Sequence, residues 1–405
     1  MPFEFLVSAP TKVKLSPYVV TYTWIIICLS LMNVYVTGSA ISKGKVITSD
    51  YLPPVWPSTQ YCNCSSTPEM PPSAQSRVIQ SMNPHILICM SLGANLASLF
   101  TIKPKFPFFV DYMEAIDAKL CLLMVHQNRS YRTSYWLLAF LFPVLFLFSF
   151  PLLISYVYLS EHENVIHFFW YTSIVIHNLV SYSSELQLVT LFLLLKLKFR
   201  VINCTLQRIS RGSTRRSPFF RPRKIQNLTA TKKLEDEVLL KYIEITHNCF
   251  LKLWDSWTLL NQMYAIQVLF STCGCFLKAL FNVYLMLMGG TADAEGRLDG
   301  PVVINYILWM TFYFARFVIM AIVASSATNE ANRTKSIIAF VTISQDEPAV
   351  KEELDLFFLN AKCRHLEFSV CGLYILNSEL IMKACGTGIT YLVLLVQFKP
   401  QMQFS

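Results

Sequence analysis

Charged residues are scarce in this chain, at 15% of 405 residues, whereas 54% of its residues are hydrophobic. Soluble domains contain about a quarter charged residues, so this deficit argues against an ordinary soluble protein and indicates a membrane protein. The formal net charge of +9 arises from basic segments that lie between apolar runs, and an inner loop of a membrane protein is an improbable site for nucleic acid. We therefore expect no nucleic-acid partner.

Glycine is also sparse. The 12 glycines are too few and too scattered for a nucleotide-binding fingerprint, and P-loop and GxSxG motifs are absent. The sequence comes nearest to a metal motif at His162-Glu163, where the second histidine, His167, follows one residue later than in HExxH. Imidazoles five residues apart do not share a helix face, so we expect no zinc site. We predict that the protein is not an enzyme and has no cofactor or metal.

Most of the 12 cysteines fall in apolar runs or in segments that we predict to be cytosolic, which excludes a disulfide framework. The exception is Cys62 and Cys64, in a predicted outer loop. Both a strained or intermolecular disulfide and two free thiols stay open for this pair. Asn63 lies between them and begins the sequon Asn63-Cys64-Ser65, where a glycan could be added.

What the sequence does contain is a series of seven long apolar runs. An α-helix crosses the hydrocarbon layer of a membrane, about 30 Å, in about 20 residues. The first run could be a signal peptide, but its core is longer than the usual hydrophobic region of about 7–15 residues, so we expect a span. We therefore predict an all-α membrane protein with seven transmembrane helices. The predicted spans are 18–37, 82–102, 133–159, 164–198, 257–290, 301–325 and 371–398.

Lysine and arginine predict the orientation of these spans. If the N-terminus is cytosolic, the segments between apolar runs that lie inside contain 26 Lys and Arg residues, and those outside contain five. Cytosolic loops are enriched in both residues, so we expect a cytosolic N-terminus and an extracellular C-terminus. The predicted cytosolic segments are 1–17, 103–132, the large basic loop 199–255 and the helical segment 326–370, and the extracellular ones are 38–81 and the tail 399–405.

Three of the apolar runs, Asn164–Leu195, Ser256–Ala292 and Gly300–Asn329, contain a single charged residue each. Glu185 lies in the inner half of the fourth span, and Arg316 lies in the inner half of the sixth. A charge within the membrane is costly unless it is paired or functional, so we predict a structural Glu185–Arg316 ion pair. Lys278 lies nearer the outer end of the fifth span, where we expect its long side chain to reach the membrane surface.

Polar and aromatic residues collect in the predicted outer halves of the spans. A pocket for a small amphipathic molecule needs this combination of apolar walls with a few hydrogen-bonding groups. For any single residue the alternative is anchoring at the membrane interface, where Tyr and Trp are enriched. As a set, these residues form the predicted ligand pocket: Tyr156, His167, Trp170, Asn282, Asn305, Tyr306 and Trp309.

The last predicted helix has one polar stripe. Thr390 and Gln397 are seven residues apart, and so lie within about 20° of each other around an α-helix. Lys383 and Thr387 lie on the same side, with Leu394 between the polar groups. Such a stripe suits an aqueous pore shared by several copies of the chain, since pores combine polar rings with apolar constrictions. The alternative is a polar seam within one subunit.

These residues also carry a resemblance to a known family. Thr390-Tyr391, five apolar residues and Gln397-Phe398 match the TYhhhhhQF signature of insect gustatory receptors, in which h is hydrophobic. The chain is similar to that family in its length, its seven predicted helices, its orientation and its large inner loop before the fifth span. Outside the last helix the resemblance is architectural and does not rest on a motif.

The resemblance implies a ligand-gated, non-selective cation channel, in which four subunits surround a central pore lined by the last helix. It implies that Gln397 and Phe398 lie at the gate, that Thr390 and Tyr391 support the helix, and that each subunit has one ligand pocket. Leu392 stands where the sugar-sensing branch tends to have an acid, which favours a bitter plant compound, although fructose-type members also lack that acid. The implied partners are this tastant, membrane lipids and identical or different gustatory receptors, in the plasma membrane of gustatory neurons.

Three other classes of membrane protein fit parts of the pattern. A G-protein-coupled receptor would need the opposite orientation, and the sequence lacks a DRY-like triplet after the third span and NPxxY in the seventh. An odorant receptor-type channel shares the inverted orientation and tetrameric pore, but the TY…QF ending favours the gustatory group. A secondary transporter of small organic solutes would account for the charges within the spans, but more often shows paired, broken half-helices in two repeats.

Overall fold

The computed structural model describes residues 74–123, 165–214, 228–287, 300–343 and 347–397. Across these ranges the chain is helical apart from one short β-hairpin. The predicted spans 18–37 and 133–159 and the predicted tail 399–405 lie outside the described residues.

The described elements follow one another in a simple order. A π-helical turn, Ser98–Ile102, joins the first two helices without a break. Two short antiparallel strands, β1 (Ser369–Val370) and β2 (Tyr374–Ile375), lie between the last two helices. The helices are α1 (Ala74–Ala97), α2 (Lys103–Leu123), α3 (Val165–Thr214), α4 (Leu228–Leu287), α5 (Gly300–Ile343), α6 (Pro348–Cys363) and α7 (Ser378–Gln397).

The three central helices are much longer than a membrane crossing. Helices α3, α4 and α5 contain 50, 60 and 44 residues. At 1.5 Å per residue they are about 75, 90 and 66 Å long, against a hydrocarbon layer of about 30 Å. Helical structure therefore continues into the predicted cytosolic segments 103–132 and 199–255. The helical spacing of apolar residues over 234–257 already favoured a helix there, whereas 103–132 was predicted as a loop. The helices continue because each long helix packs against its neighbours beyond the apolar run.

Within the described ranges, three helical stretches are long and apolar enough to cross a membrane. They are His85–Leu120, Glu237–Leu287 and Tyr306–Ile343. These stretches contain most of the second, fifth and sixth predicted spans. Helix bounds alone do not mark where a helix meets lipid, so the span boundaries and the orientation stay predictions.

The main apolar core lies at the end of the bundle that we predict to be cytosolic. Phe250 of α4 packs between Phe199 of α3 and Phe357 of α6, with ring centroids 6.1 and 5.3 Å apart. Helix α6 buries one face, on which Val350, Leu354, Phe357 and Ala361 recur at helical spacing. This core holds the long helices together outside the predicted membrane region, because apolar burial there is driven by water.

Helices α1 and α4 interlock through two glycines. A Cβ atom at Gly93 would lie 2.4 Å from the Phe270 ring, and one at Gly274 would lie 2.1 Å from the Met90 side chain. Each glycine therefore leaves the space that a large side chain of the other helix fills. Small residues serve this purpose where helices approach closely within membranes.

The β-hairpin precedes the last helix. Its turn has φ of 52° at Cys371 and 73° at Gly372, and two successive left-handed residues reverse the chain tightly. Trp257 of α4 donates a hydrogen bond from Nε1 to the carbonyl oxygen of Glu367 at 3.2 Å, which ties the base of the hairpin to α4. The predicted seventh span includes this turn, whereas α7 begins only at Ser378, because the hairpin interrupts the helix.

Candidate ligand site and pore helix

A buried ion pair joins α3 to α5. Arg316 donates two hydrogen bonds to Glu185, from Nε to Oε2 at 2.8 Å and from Nη2 to Oε1 at 2.7 Å. The hydroxyl of Ser271 on α4 also donates to Oε1 of Glu185, so three helices meet at one carboxylate. All three residues are buried. Two parallel hydrogen bonds between the charges offset the cost of taking them out of water.

Aromatic rings surround the guanidinium group of Arg316. Its Cζ lies 5.7 Å from the ring centroid of Tyr182, 5.2 Å from that of Phe312 and 5.5 Å from that of Tyr313. Cation–π attraction acts within about 6 Å, so each ring stabilises the buried charge. The Tyr313 hydroxyl donates a hydrogen bond to Oδ1 of Asn178 at 3.0 Å, which extends the polar network along α3.

Three of the predicted pocket residues have described side chains. Trp309 stacks on Tyr313 with ring centroids 5.7 Å apart, so it lies next to the aromatic rings around Arg316. Tyr306 on the same helix and Asn282 on α4 are buried. The aromatic part of the predicted pocket therefore borders the ion pair. Tyr156 and the side chains of His167, Trp170 and Asn305 lie outside the described part of the chain.

Lys278 does not reach the membrane surface as the sequence suggested. It is 6% exposed, and its Nζ lies 5.6 Å from the ring centroid of Tyr313. The side chain therefore points into the bundle, towards α5. Its rotational position on α4 decides this direction, and the packing of α4 against α5 sets that position.

Sequence reasoning missed the polar residues around the ion pair, Asn178 and Ser271. It also missed a second polar contact, in which Nδ1 of His177 lies 2.9 Å from the hydroxyl of Ser91 on α1. A signal for Asn178 was present, since it lies seven residues before Glu185 and so on the same face of a helix. Serine in an apolar helix gave no comparable signal, because a lone hydroxyl is common there.

Two contacts connect the region around the ion pair with the last helix. Thr272 of α4 donates its hydroxyl to the carbonyl oxygen of Val268 at 2.7 Å, so its oxygen accepts the hydrogen bond from the hydroxyl of Tyr374 in β2. At the start of α7, the hydroxyl oxygen of Ser378 lies 3.3 Å from that of Ser325 on α5. The hairpin and the beginning of α7 are thus held by the two helices next to the ion pair.

The polar stripe of α7 is exposed. Thr387 and Thr390 donate hydrogen bonds to carbonyl oxygens of their own helix one turn earlier, at 2.9 and 3.0 Å, and so do not depend on other helices. Phe398, the last signature residue, lies outside the described residues. The exposed residues of this helix include Lys383, Thr387, Thr390, Tyr391, Leu394 and Gln397.

The other side of α7 packs against the subunit. Gly388 is buried, and a Cβ atom there would lie 3.3 Å from the Phe276 ring of α4. Leu392, one turn later on the same face, is partly buried. The polar stripe therefore points away from the helices of its own chain that the structure describes.

No group of three or more His, Cys, Asp or Glu residues that could hold a metal ion occurs among the residues that the structure describes. Cys62, Asn63 and Cys64 lie outside those residues. The sequon and the cysteine pair therefore remain predictions.

Comparison with known families identifies the class of protein. The family profile described as 7tm Chemosensory receptor matches residues 94–402, which include the ion pair and the whole of α7. The chain therefore belongs to the 7tm chemosensory receptor family. It is a multi-pass membrane protein and a chemosensory receptor, not an enzyme, and the family resemblance inferred from the TY…QF ending is confirmed.

A curated relative supports the same grouping. The chain is 26% identical over 141 residues to the gustatory receptor for sugar taste 43a of Drosophila melanogaster. This alignment covers 35% of the chain and 32% of the relative. The chain thus spans about a third of the length of the curated relative that it matches.

Solved structures agree on the fold. The chain is similar to the insect olfactory receptor OR5 from Machilis hrabei, with a TM-score of 0.57 over 80% of this chain and 82% of that one. It is also similar to OR5 in complex with eugenol, with a TM-score of 0.64 over 96% and 92%. The sequence identity is 11% in both comparisons, so the likeness shows a shared, all-helical receptor fold.

Proposed function

We propose that the chain is a subunit of a tastant-gated, non-selective cation channel, in which four identical or related subunits surround a pore lined by α7. The observation that carries this proposal is the exposed polar stripe of α7. In a lone subunit Thr387, Thr390 and Gln397 would face lipid, where polar groups are costly. Assembly around an aqueous axis gives the same groups water, and Leu394 supplies an apolar constriction between them.

The orientation that we propose places the N-terminus in the cytosol and the C-terminus outside, in the plasma membrane of gustatory neurons. The excess of Lys and Arg in the inner segments supports it. The sequon Asn227-Leu228-Thr229 lies in the predicted inner loop 199–255, so we expect a glycan on Asn63 and none on Asn227. The measurement is a glycosidase-sensitive shift in gel mobility, which Asn63→Gln should abolish. A glycan on Asn227 would contradict this orientation.

We propose that the ligand binds beside the ion pair, among the aromatic residues of α5 and the facing part of α4. Trp309, Tyr306 and Asn282 combine apolar surface with hydrogen-bonding groups, as small-molecule sites do. Leu392 favours a bitter plant compound as the tastant. A sugar is the second candidate, because the curated relative is named as a receptor for sugar taste.

A route from this site to the gate follows from the contacts of α4. Ser271 bonds to the ion pair, and the next residue, Thr272, bonds to Tyr374 of the hairpin that precedes α7. A ligand opens the pore only if it binds the open state more tightly than the closed one. Displacement of α4 by the ligand would move the hairpin and the start of α7 with it. A ligand that favours this displaced position of α4 would therefore bind the open state more tightly than the closed one.

The decisive experiment is current recording from cells that express the full chain, under a panel of bitter compounds and sugars. We expect a ligand-evoked cation current that Gln397→Ala alters in amplitude or ion selectivity. The matched control is Met382→Ala, an exposed apolar residue about four helical turns before Gln397, which should leave the current unchanged. A current that Gln397→Ala leaves unchanged would contradict the pore assignment. Uptake of a small organic solute without conductance would favour a transporter.

A further inference from the structure

Lys278 introduces a positive charge beside the aromatic site. The side chain is 6% exposed and lies against the Tyr313 ring, whose other neighbours include Arg316 at 5.5 Å. Two cations therefore approach the same ring. A buried ammonium group is costly unless an anion or several acceptors compensate it.

The chain itself supplies little compensation for this charge. Glu185 is already bound through both carboxylate oxygens to Arg316 and through one of them to Ser271. In the sequence of the seven predicted spans, the only other acid is Glu379, which pairs with Lys383 on the exposed side of α7. Across the parts of the chain that the structure describes, Lys278 forms no ion pair.

Two hydroxyl groups of α3, within one helical turn of Glu185, also have no partner. The hydroxyl oxygens of Ser181 and Tyr182 on α3 are buried and make no hydrogen bond. Ser181 lies one helical turn before Glu185, and Lys278 lies two turns after Ser271 on an oppositely directed helix. These groups therefore lie on the same side of the ion pair, the side that we predict to face outward. A buried hydroxyl without a partner is destabilising, and a bound acceptor offsets that cost.

The walls next to these groups are aromatic. Trp309 stacks on Tyr313, and Phe312 meets Tyr313 edge to face with ring centroids 5.3 Å apart. A ligand that fits has an apolar body for these rings and an anionic acceptor for the lysine and the hydroxyl groups. A carboxylate satisfies both needs, since it accepts up to four hydrogen bonds and carries one negative charge.

We infer that Lys278 is the anion-binding residue of the ligand site and that the receptor recognises small organic acids in their carboxylate form. This inference rests on the proposed function, because it takes the aromatic region beside the ion pair as the ligand site. It adds the chemical class of the ligand and the residue that selects it. Glu185 does not bind the ligand, because its role is to hold Arg316.

The test measures binding to the purified full-length receptor in lipid nanodiscs, as a saturable rise in the thermal unfolding midpoint. The probes are three matched pairs: benzoate and benzamide, cinnamate and cinnamamide, and hexanoate and hexanamide. We expect at least one carboxylate to bind tenfold or more tightly than its amide. Lys278→Met should remove this preference, and Lys278→Arg should keep it. The matched control is Lys362→Met, which removes an exposed lysine from α6 and should keep the preference.

Several outcomes would overturn the inference. They are equal binding of acid and amide in every pair, no binding of any carboxylate, or an unchanged preference in Lys278→Met. Sodium chloride and sodium phosphate are tested at the same concentrations. An equal rise in the unfolding midpoint with either salt would show that any anion suffices, which would also overturn the inference. If Lys278→Met does not fold, Lys278→Gln and Ser181→Ala replace it, and each should weaken carboxylate binding relative to amide binding.

The binding measurement tests the carboxylate inference, and the current recording tests the proposed channel, so either can fail without the other. Carboxylate binding through Lys278 without any evoked current would contradict the proposed channel and leave this inference standing. A current evoked by neutral compounds, unchanged in Lys278→Met and without carboxylate preference, would leave the channel standing and contradict this inference.

Discussion

The polar groups around Arg316 and those along α7 differ in where they find their partners. Glu185, Arg316 and Ser271 are buried and bonded to one another across three helices of one chain. Thr390 and Gln397 lie on an exposed face, and the hydroxyl of Thr390 bonds to its own helix. The ion pair and the hydroxyl of Ser271 are satisfied by folding of the subunit. In the proposed channel, those of the second region face water or neighbouring subunits.

The comparison separates two kinds of polar residue in a membrane protein. A charge that pairs inside the bundle contributes to the stability of the subunit, because its removal leaves its partner buried and unpaired in an apolar environment. A polar stripe that faces outward contributes little to that stability, because among the described residues its side chains bond to their own helix. Substitutions in the first region should therefore lower the stability of the subunit, whereas those in the second should alter the current with little effect on stability.

The largest effect on stability is expected for Arg316→Met, because it leaves Glu185 as an unpaired buried charge, at a cost of about 3–5 kcal/mol. The thermal unfolding midpoint of the purified receptor and its amount at the cell surface should both fall. Lys383→Met is the control, since its partner Glu379 is 3.5 Å away and both side chains are more than 70% exposed. Exposed pairs contribute about 0–1 kcal/mol. The pairing would be refuted if the charge-swapped double variant of Glu185 and Arg316 rescued neither single variant.

The next effect concerns the contact between α1 and α4. Gly93→Ala should destabilise the subunit by about 1–3 kcal/mol, because the new methyl group would overlap the Phe270 side chain. Gly386→Ala on α7 is the matched change, and a Cβ atom there meets no heavy atom within 4 Å. It should leave the subunit unchanged or slightly more stable, since alanine favours helix. Similar losses for both variants would contradict the difference in packing.

A smaller effect is expected at the hairpin between the two regions. Tyr374→Phe removes the hydrogen bond to Thr272 and should cost about 1 kcal/mol of stability. If the hairpin transmits ligand binding to α7, the same variant should also shift the ligand concentration for half-maximal current by up to about tenfold. Tyr242→Phe, on the exposed side of α4, is the control. A variant that loses stability but keeps an unchanged dose response would show that the hairpin has a structural role alone.

The smallest effect on stability is expected for Thr390→Val, at less than about 0.5 kcal/mol, because the side chain is exposed and bonds only to its own helix. The single-channel conductance should nevertheless fall, since a hydroxyl is lost from the proposed pore. Ile389→Val, on another exposed side of α7, should change neither quantity. A loss of more than 1 kcal/mol for Thr390→Val would instead favour a polar seam within one subunit.

Part of the buried site could be predicted because charges are rare in this sequence. With one charged residue in each of three apolar runs, Glu185 and Arg316 had few alternative partners, and their similar depth suggested contact. The direction of Lys278 could not be predicted in this way. Depth follows from position along a helix, but the rotation of that helix about its axis depends on the neighbours against which it packs.

The boundary of the last helix shows the same limit. The apolar stretch around Leu373 and Ile375 continues the hydrophobic run of the predicted seventh span, so hydropathy alone favoured helix there. The structure forms a hairpin instead, held by the bond from Trp257 to Glu367. Gly372 was the local signal for a turn, but one glycine in an apolar run also occurs within membrane helices.

The sequence by itself determined the membrane character, the receptor family and the polar stripe of α7. Each of these three features follows from composition or from spacing along one helix. Composition and spacing can be read from the sequence without knowing which helices are neighbours. Only the tertiary structure decided that Ser271 joins the ion pair, that Lys278 points at Tyr313 and that Tyr374 reaches Thr272. These contacts join residues far apart in the chain, and their partners are chosen by how side chains of different helices fill the space between them.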